Sequence, residues 1–287
     1  MKNLYQYLIP QETRSSIYKY RKQILSLGKK LHANLDFYYC RRSERIKGLE
    51  GEHRGQRCFL MGNGPSLNSM DLSLLKNESV WGSNRCYLLF DRIDWRPSFF
   101  VAVDKRVVPD NADEIIQLSR QLQSTKFFFP ANFRFTRILK SAPNVYWYNE
   151  KPLSEGNLPY TMFSMNLAEY VYSVRTVTVA MLQIAVYLGF NPIYLIGCDT
   201  NYVVPTSVEY ENGNPDSLIS TEADLNHFDS SYFGKAKKWH EPHVDRMIFN
   251  YQQAKRVCDE FGVKVFNATV GGNLEVFPRV NYKDLFE

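Results

Sequence analysis

From residue 56 onward the chain alternates short apolar runs with polar or amphipathic stretches. The runs are 57–61 (RCFLM), 79–83 (SVWGS), 99–103 (FFVAV), 126–129 (KFFF, closed by Pro130), 144–148 (NVYWY), 192–197 (PIYLIG) and 263–266 (VKVF). Runs this short, rich in β-branched and aromatic residues, predict strands covered on both faces. The stretches between them predict helices. The clearest is 174–190, with apolar positions around its whole circumference and Gly189 as a natural C-terminal stop. Strands alternating with helices predict an α/β, Rossmann-like fold: a mostly parallel sheet with helices on both faces.

The two ends of the pattern differ from its middle. Residues 1–50 read as one or two helices in which Tyr18, Ile24, Leu25, Leu27 and Leu31 share the stretch with Lys19, Arg21, Lys22, Lys29 and Lys30. They form a basic helical extension ahead of a catalytic domain spanning 51–287. Two readings stay open: a helix packed on the body, or an interfacial helix held at anionic lipid. Residues 203–240 carry Pro205, Gly213, Pro215 and many Ser, Asn, Asp and Tyr. A polar segment of that length in this kind of fold predicts an active-site lid, about 203–243 with the histidines that follow; a plain surface loop is the alternative.

Charge and cysteine usage narrow the partners. Of the net +5, residues 1–55 hold 12 Lys/Arg against 5 Asp/Glu, and the remainder holds 23 against 25. A near-neutral body argues against nucleic acid as partner, while the basic arm fits an anionic surface. No apolar run is long enough to span a membrane, and the first residues, MKNLYQYLIPQETRSS, carry no signal-peptide pattern. The expected location is cytoplasmic; the interfacial reading of residues 1–50 adds a peripheral contact at the inner face of the membrane. Cys40, Cys58, Cys86, Cys198 and Cys258 lie far apart without zinc spacing, and read as reduced core residues.

The candidate chemistry sits where strands end. Residues 58–67 run CFLMGNGPSL: an apolar strand stops at Gly62-Asn63-Gly64-Pro65-Ser66, and an amphipathic stretch follows. Glycines permit a sharp turn and close approach of a ligand, Pro65 suits a first helical turn, and exposed amides at a helix start favour phosphate. The junction lacks the third glycine of a dinucleotide fingerprint and the Gly-Lys-Ser/Thr of a P-loop. Its expected role is to hold nucleotide phosphates, with Asn63 and Ser66 adding hydrogen bonds. Asn84 and Arg85 follow the second strand, Asp104 ends the third, and Asp199, Asn201 and Tyr202 follow the strand at 193–196. In a parallel sheet these ends share one edge.

These residues resemble a family. GNGPSL, the Ser-Asn after the second strand, the VAVD end of the third, and VRTVTVAMLQIAVYLGFNPIYLIGCDTNY are similar to the MptE-like group, once called the domain of unknown function 115. That group includes 6-hydroxymethylpterin diphosphokinases and Maf flagellin glycosyltransferases, and is related to the bacterial sialyltransferases of glycosyltransferase family 42. The resemblance implies a CMP-activated donor and no required metal. It implies nucleotide contacts at Asn63 and Asn84, a donor site lined by Thr176 and Thr178, and a general-base histidine in the late lid. Asp104 replaces an asparagine of the sialyltransferases. Kinase-like members carry an acidic residue there, so Asp104 is the expected contact if Mg²⁺ is used.

Sugar transfer needs a cation or dipole for the leaving phosphate, a base for the acceptor hydroxyl, and exclusion of water. Candidate cations are Arg175, Lys235, Lys237 and Lys238. Among the histidines His240 ranks first, placed between Trp239 and Glu241-Pro242, with His227 and His243 as alternatives. Tyr232 and Trp239 are assigned to the acceptor edge or lid. Paired carboxylates for glycoside hydrolysis and a G-x-S-x-G elbow are absent. The expected function is transfer of a sugar from a nucleotide donor, foremost a CMP-linked 2-keto acid sugar such as sialic acid or Kdo, to a bacterial surface glycan. The alternative is a Mg²⁺-dependent diphosphokinase using ATP. Oligomeric state is not readable.

Overall fold

A computed structural model describes residues 42–104, 107–132, 142–152, 162–203, 209–210, 217–220, 222–233 and 238–287. The expectations for residues 1–41, Cys40 among them, and for Lys235 and Lys237 lie outside these.

The elements run α1 (Arg42–Lys47), β1 (Cys58–Met61), β2 (Val80–Ser83), β3 (Phe99–Val101), α2 (Val107–Asp110), α3 (Ala112–Gln121), β4 (Lys126–Pro130) and β5 (Val145–Tyr148). They continue through β6 (Glu150–Pro152), β7 (Val171–Ser173), α4 (Val177–Tyr187), β8 (Ile193–Ile196), β9 (Glu209–Tyr210), β10 (Ser217–Ile219), β11 (Lys238–His240), α5 (Val244–Glu260) and β12 (Val265–Asn267). A seven-stranded sheet has the order β12-β8-β1-β2-β3-β4-β5, and every pairing in it is parallel. The chain therefore builds outward from β1 to β5, then returns to lay β8 on the other side of β1. That reversal is a topological switch point, where the loops leaving two neighbouring strands diverge and open a crevice.

Alternate strand residues feed two cores, which is why the strands are apolar throughout. Cys58, Leu60, Trp81, Phe99 and Phe128 join α4 and α5 in one; Phe59, Met61, Val80, Phe100, Phe127 and Phe129 join α3 in the other. Ten residues of the eleven-residue α4 are buried, so a helix apolar all round is one enclosed by protein. The stretch after Pro65, expected to be helical, forms two 3-10 turns, Pro65–Ser69 and Leu72–Leu75. The residues of the N-terminal extension that are described pack on the body: Ile46 and Leu49 are buried in the first core, and Arg45 donates to the carbonyls of Val145 and Pro143. Cys58, Cys86, Cys198 and Cys258 are buried thiols, as expected. No helix among the described residues is long and apolar enough to cross a membrane.

Candidate functional site

A cleft of about 370 Å³ opens at the switch point. Its walls are the loops after β1, β2, β3 and β8, the start of α4, part of the 222–233 segment, and residues after β11. Of the residues singled out from sequence it gathers Gly62, Asn63, Gly64, Asn84, Asp104, Arg175, Thr176, Thr178, Asp199, Asn201, Tyr202, His227, Tyr232 and Trp239.

The glycine junction is built differently from the expectation. Gly62 N donates to Ile196 O at 2.8 Å and Gly64 N to Gly197 O at 2.9 Å, so the β1 and β8 loops stay zipped beyond the sheet. A Cβ on Gly64 would lie 1.8 Å from Asp199 Oδ2. Asp199 accepts from Ser66 N at 3.1 Å and from Ser66 Oγ at 2.8 Å. The glycines thus serve contact between two protein loops, and a carboxylate already takes the amide at the start of the 3-10 turn. This corrects the phosphate assignment for Pro65 and Ser66, which do not line the cleft; an anion there would meet Asp199 instead of free N–H groups.

Burial raises the Asp199 carboxyl above its ordinary range, partly offset by the two Ser66 bonds. A carboxyl raised in the fold contributes stability below its unfolded value that is lost as pH climbs through the folded one. Asp199→Asn should therefore gain melting temperature relative to the parent as pH rises from the ordinary aspartate range into the raised one. A difference that stays flat across paired melting curves between pH 3 and pH 7 would contradict this.

Two asparagines face the cleft with unmet acceptors. Asn63 donates from Nδ2 to Ser83 Oγ at 2.9 Å, and its Oδ1 is buried without a partner among the described residues. The same holds for Oδ1 of Asn84, held at φ 49 with its N–H on Val101 O, and for Oγ1 of Thr200 at φ 56. Buried polar atoms are normally satisfied, so three in one cleft fit a ligand that supplies N–H or O–H groups. Arg85 points elsewhere. Its guanidinium donates to Ser231 O at 2.7 Å and to Tyr232 O, and it does not line the cleft. Its expected nucleotide contact is replaced by a clamp on the 222–233 segment, because two carbonyls there take its N–H groups.

The positive end in the cleft belongs to α4. Thr176 is its N-cap, accepting from Thr178 N at 3.3 Å, while its Oγ1 lies 3.4 Å from Tyr251 OH. Aligned peptide dipoles make such a start attractive to phosphate, and Arg175 is exposed beside it. Cys198 sits opposite, 3.8 Å from Thr178 Oγ1; burial pushes its thiol up to about 12, so it stays protonated and inert near neutrality.

Among the described side chains, His227 is the histidine this cleft presents. Its Nδ1 lies 2.8 Å from Asp224 Oδ2, and its ring stacks on Tyr232 at 4.1 Å with 2° between planes. Asp224 also accepts from Phe233 N at 2.9 Å and Asn226 N at 2.8 Å, which fixes the carboxylate that fixes the ring. With Nδ1–H donating to Asp224, Nε2 carries the basic lone pair. His240 contributes its backbone to β11, opposite Ser217; its side chain, like that of Lys238, lies outside the described residues. His243 precedes α5 at φ 43 and does not line the cleft. Trp239 does line it, buried, with Nε1 lacking a protein partner among the described residues. Asp224 was missed from sequence, although its place three residues before a histidine was the available signal.

No group of three His, Cys, Asp or Glu among the described residues is placed to hold a metal ion. Asp104, which lines the cleft after β3, is the residue that would meet Mg²⁺ together with phosphate oxygens of a bound nucleotide.

The family model described as 6-hydroxymethylpterin diphosphokinase MptE-like matches residues 29–204. Among solved structures, the Maf glycosyltransferase from Magnetospirillum magneticum AMB-1 is similar at 16% identity and TM-score 0.48, covering 84% of this chain and 38% of that one. The sialyltransferase CstII from Campylobacter jejuni, in complex with cytidine-5'-monophosphate, is similar at 17% identity and TM-score 0.42, covering 79% of this chain and 85% of that one. The same sialyltransferase with a trisaccharide acceptor and CMP aligns at 15% identity and TM-score 0.43, covering 78% and 86%. No curated protein sequence matches the chain.

Proposed function

From the premise that the chain belongs to the 6-hydroxymethylpterin diphosphokinase MptE-like family, we propose that it is a glycosyltransferase using a nucleotide-activated sugar. The observation that carries this reading is the oriented pair Asp224–His227, set in the same cleft as the start of α4. Nε2 of His227 takes the proton of an acceptor hydroxyl as its oxygen bonds to the anomeric carbon. The bond from that carbon to the donor phosphate breaks, and its electron pair leaves with the phosphate, which the α4 amides and Arg175 stabilise. Asn63 and Asn84 supply acceptors for N–H or O–H groups of the nucleoside. A CMP-linked 2-keto acid sugar as donor, and a bacterial surface glycan as acceptor, rest on the resemblance of residues 62–67 and 174–202 to bacterial sialyltransferases. Peripheral seating at the inner membrane face through the basic N-terminal residues belongs to the same proposal.

The family's name favours a second reading, pyrophosphate transfer from ATP to a small alcohol. In that case Asp104 would hold a Mg²⁺, which would supply charge neutralisation at the phosphates, and His227 again takes the hydroxyl proton.

Thermal-shift binding to CMP, CDP, UDP, GDP and ATP, each with Mg²⁺ and with EDTA, separates the two. Ligand at about a hundred times its Kd stabilises the fold by about 2.7 kcal/mol. A shift with CMP or CDP that survives EDTA is expected, with slow release of CMP from a CMP-sugar. A shift seen only with ATP and Mg²⁺ moves the assignment to the diphosphokinase, and no shift with any nucleotide removes both.

A further inference from the structure

The loop that carries His227 is fastened to the end of the β8 loop by one side chain. Asn226 donates from Nδ2 to Val203 O at 2.8 Å and accepts at Oδ1 from Val203 N at 2.7 Å. A carboxamide that meets both the N–H and the C=O of one residue does what a neighbouring strand would do. The residues on either side give the clasp its consequence. Tyr202 precedes Val203 and His227 follows Asn226; their rings lie 6.3 Å apart at 67° and both line the cleft. The backbone N–H of Asn226 donates to Asp224, so the same residue steadies the carboxylate that orients His227. Val203 and Leu225 contribute little apolar packing to this join, being 57% and 67% exposed.

Resting on the transferase reading of the cleft, we infer that Asn226 is a positioning residue. It sets the wall formed by Tyr202 and His227, and through that wall the seating of the acceptor hydroxyl. The donor contacts proposed at Asn63, Asn84 and the start of α4 do not use the Asn226 side chain, although Phe228 N ties the same segment to Asn63 O at 3.0 Å.

The test compares Asn226→Ala with Asn226→Asp. Aspartate has the same shape and still accepts from Val203 N, but it has no N–H for Val203 O and sets two oxygens against each other. A residue that only fills space would tolerate it. With ¹³C-labelled histidine, the chain gives five imidazole signals. His227 is identified by its loss in His227→Ala. His53, stacked on Phe190 at 4.5 Å, serves as reference for the intact fold. Both Asn226 variants should move the His227 signal while the His53 signal stays. Acceptor KM should rise about tenfold, the factor expected for loss of one or two neutral hydrogen bonds, with kcat within a few-fold and the nucleotide melting shift unchanged.

An unmoved His227 signal in Asn226→Asp overturns the inference, and so does an unchanged acceptor KM. If Asn226→Ala also disturbs His53, Asn226→Gln takes its place, since its longer arm cannot meet both Val203 atoms. The imidazole spectra need no substrate. A parent protein that transfers no sugar would defeat the transferase reading and still leave the clasp to be judged by its own signal.

Discussion

Replacing His227 with alanine should lower sugar transfer by about a hundred- to ten-thousand-fold, the usual range for loss of a positioned general base. Nucleotide binding should persist, because the contacts proposed for the nucleotide lie on β1, β2 and α4 and not on the 222–233 segment. Asp224→Asn should cost less than His227→Ala but more than an exposed substitution. The amide keeps the shape yet presents an N–H where Nδ1–H and Phe233 N now donate at 2.8 and 2.9 Å. It therefore either turns the ring to its other tautomer or leaves a donor facing a donor. Steady-state kinetics on both variants, beside their nucleotide melting shifts, provide the check. If His227→Ala retains parental turnover, the base is elsewhere, and His240 becomes the residue to change next.

Gly62→Ala is expected to destabilise the fold by about 3 kcal/mol, at the upper end for forcing an extra group into a packed region. The new Cβ would sit 2.3 Å from Gly197 O and 2.9 Å from Gly197 C, both backbone atoms. These atoms cannot swing aside as a side chain would. Relief must come from separating β1 and β8 just where Gly62 N holds Ile196 O at 2.8 Å, so the damage reaches the mouth of the cleft. Gly48→Ala is the matched control. The nearest atom to its Cβ is Arg45 O at an ordinary 3.5 Å, and a glycine replaced without a clash changes stability by only about 1 kcal/mol or less. Urea melts of the two variants against the parent decide the matter: equal midpoints for Gly62→Ala and Gly48→Ala would remove the steric account.

Much of the fold was legible because its signals are local. Residues 127–129 and 145–148 are apolar or aromatic on both faces, and β4 and β5 follow from that alone. Gly189, at φ 90, ends α4 as its residue type predicts. After Pro65 the chain forms two short 3-10 turns in place of the expected helix, and the donors of Ser66 at the first turn's start go to Asp199, 133 residues away. Arg85 was misassigned in the same way: its partners, Ser231 and Tyr232, approach from 146 and 147 residues on.

By itself, then, the sequence determined which segments become buried strands, that they lie parallel, and that the polar residues at their ends gather along one edge. Period and apolarity are properties of a few consecutive residues, and a parallel sheet leaves their ends nowhere else to go. Only the tertiary structure decided which of those residues face a ligand and which face each other. Laying β8 against β1 brought Asp199 onto Ser66 and turned a phosphate-like junction into an internal contact. Folding the 222–233 segment over the cleft set His227 on Asp224 and Tyr232. The first choice depends on hydrogen bonds between residues 133 apart, which no local pattern records; the second joins near neighbours in the chain, and what the sequence lacked was where the fold carries their segment.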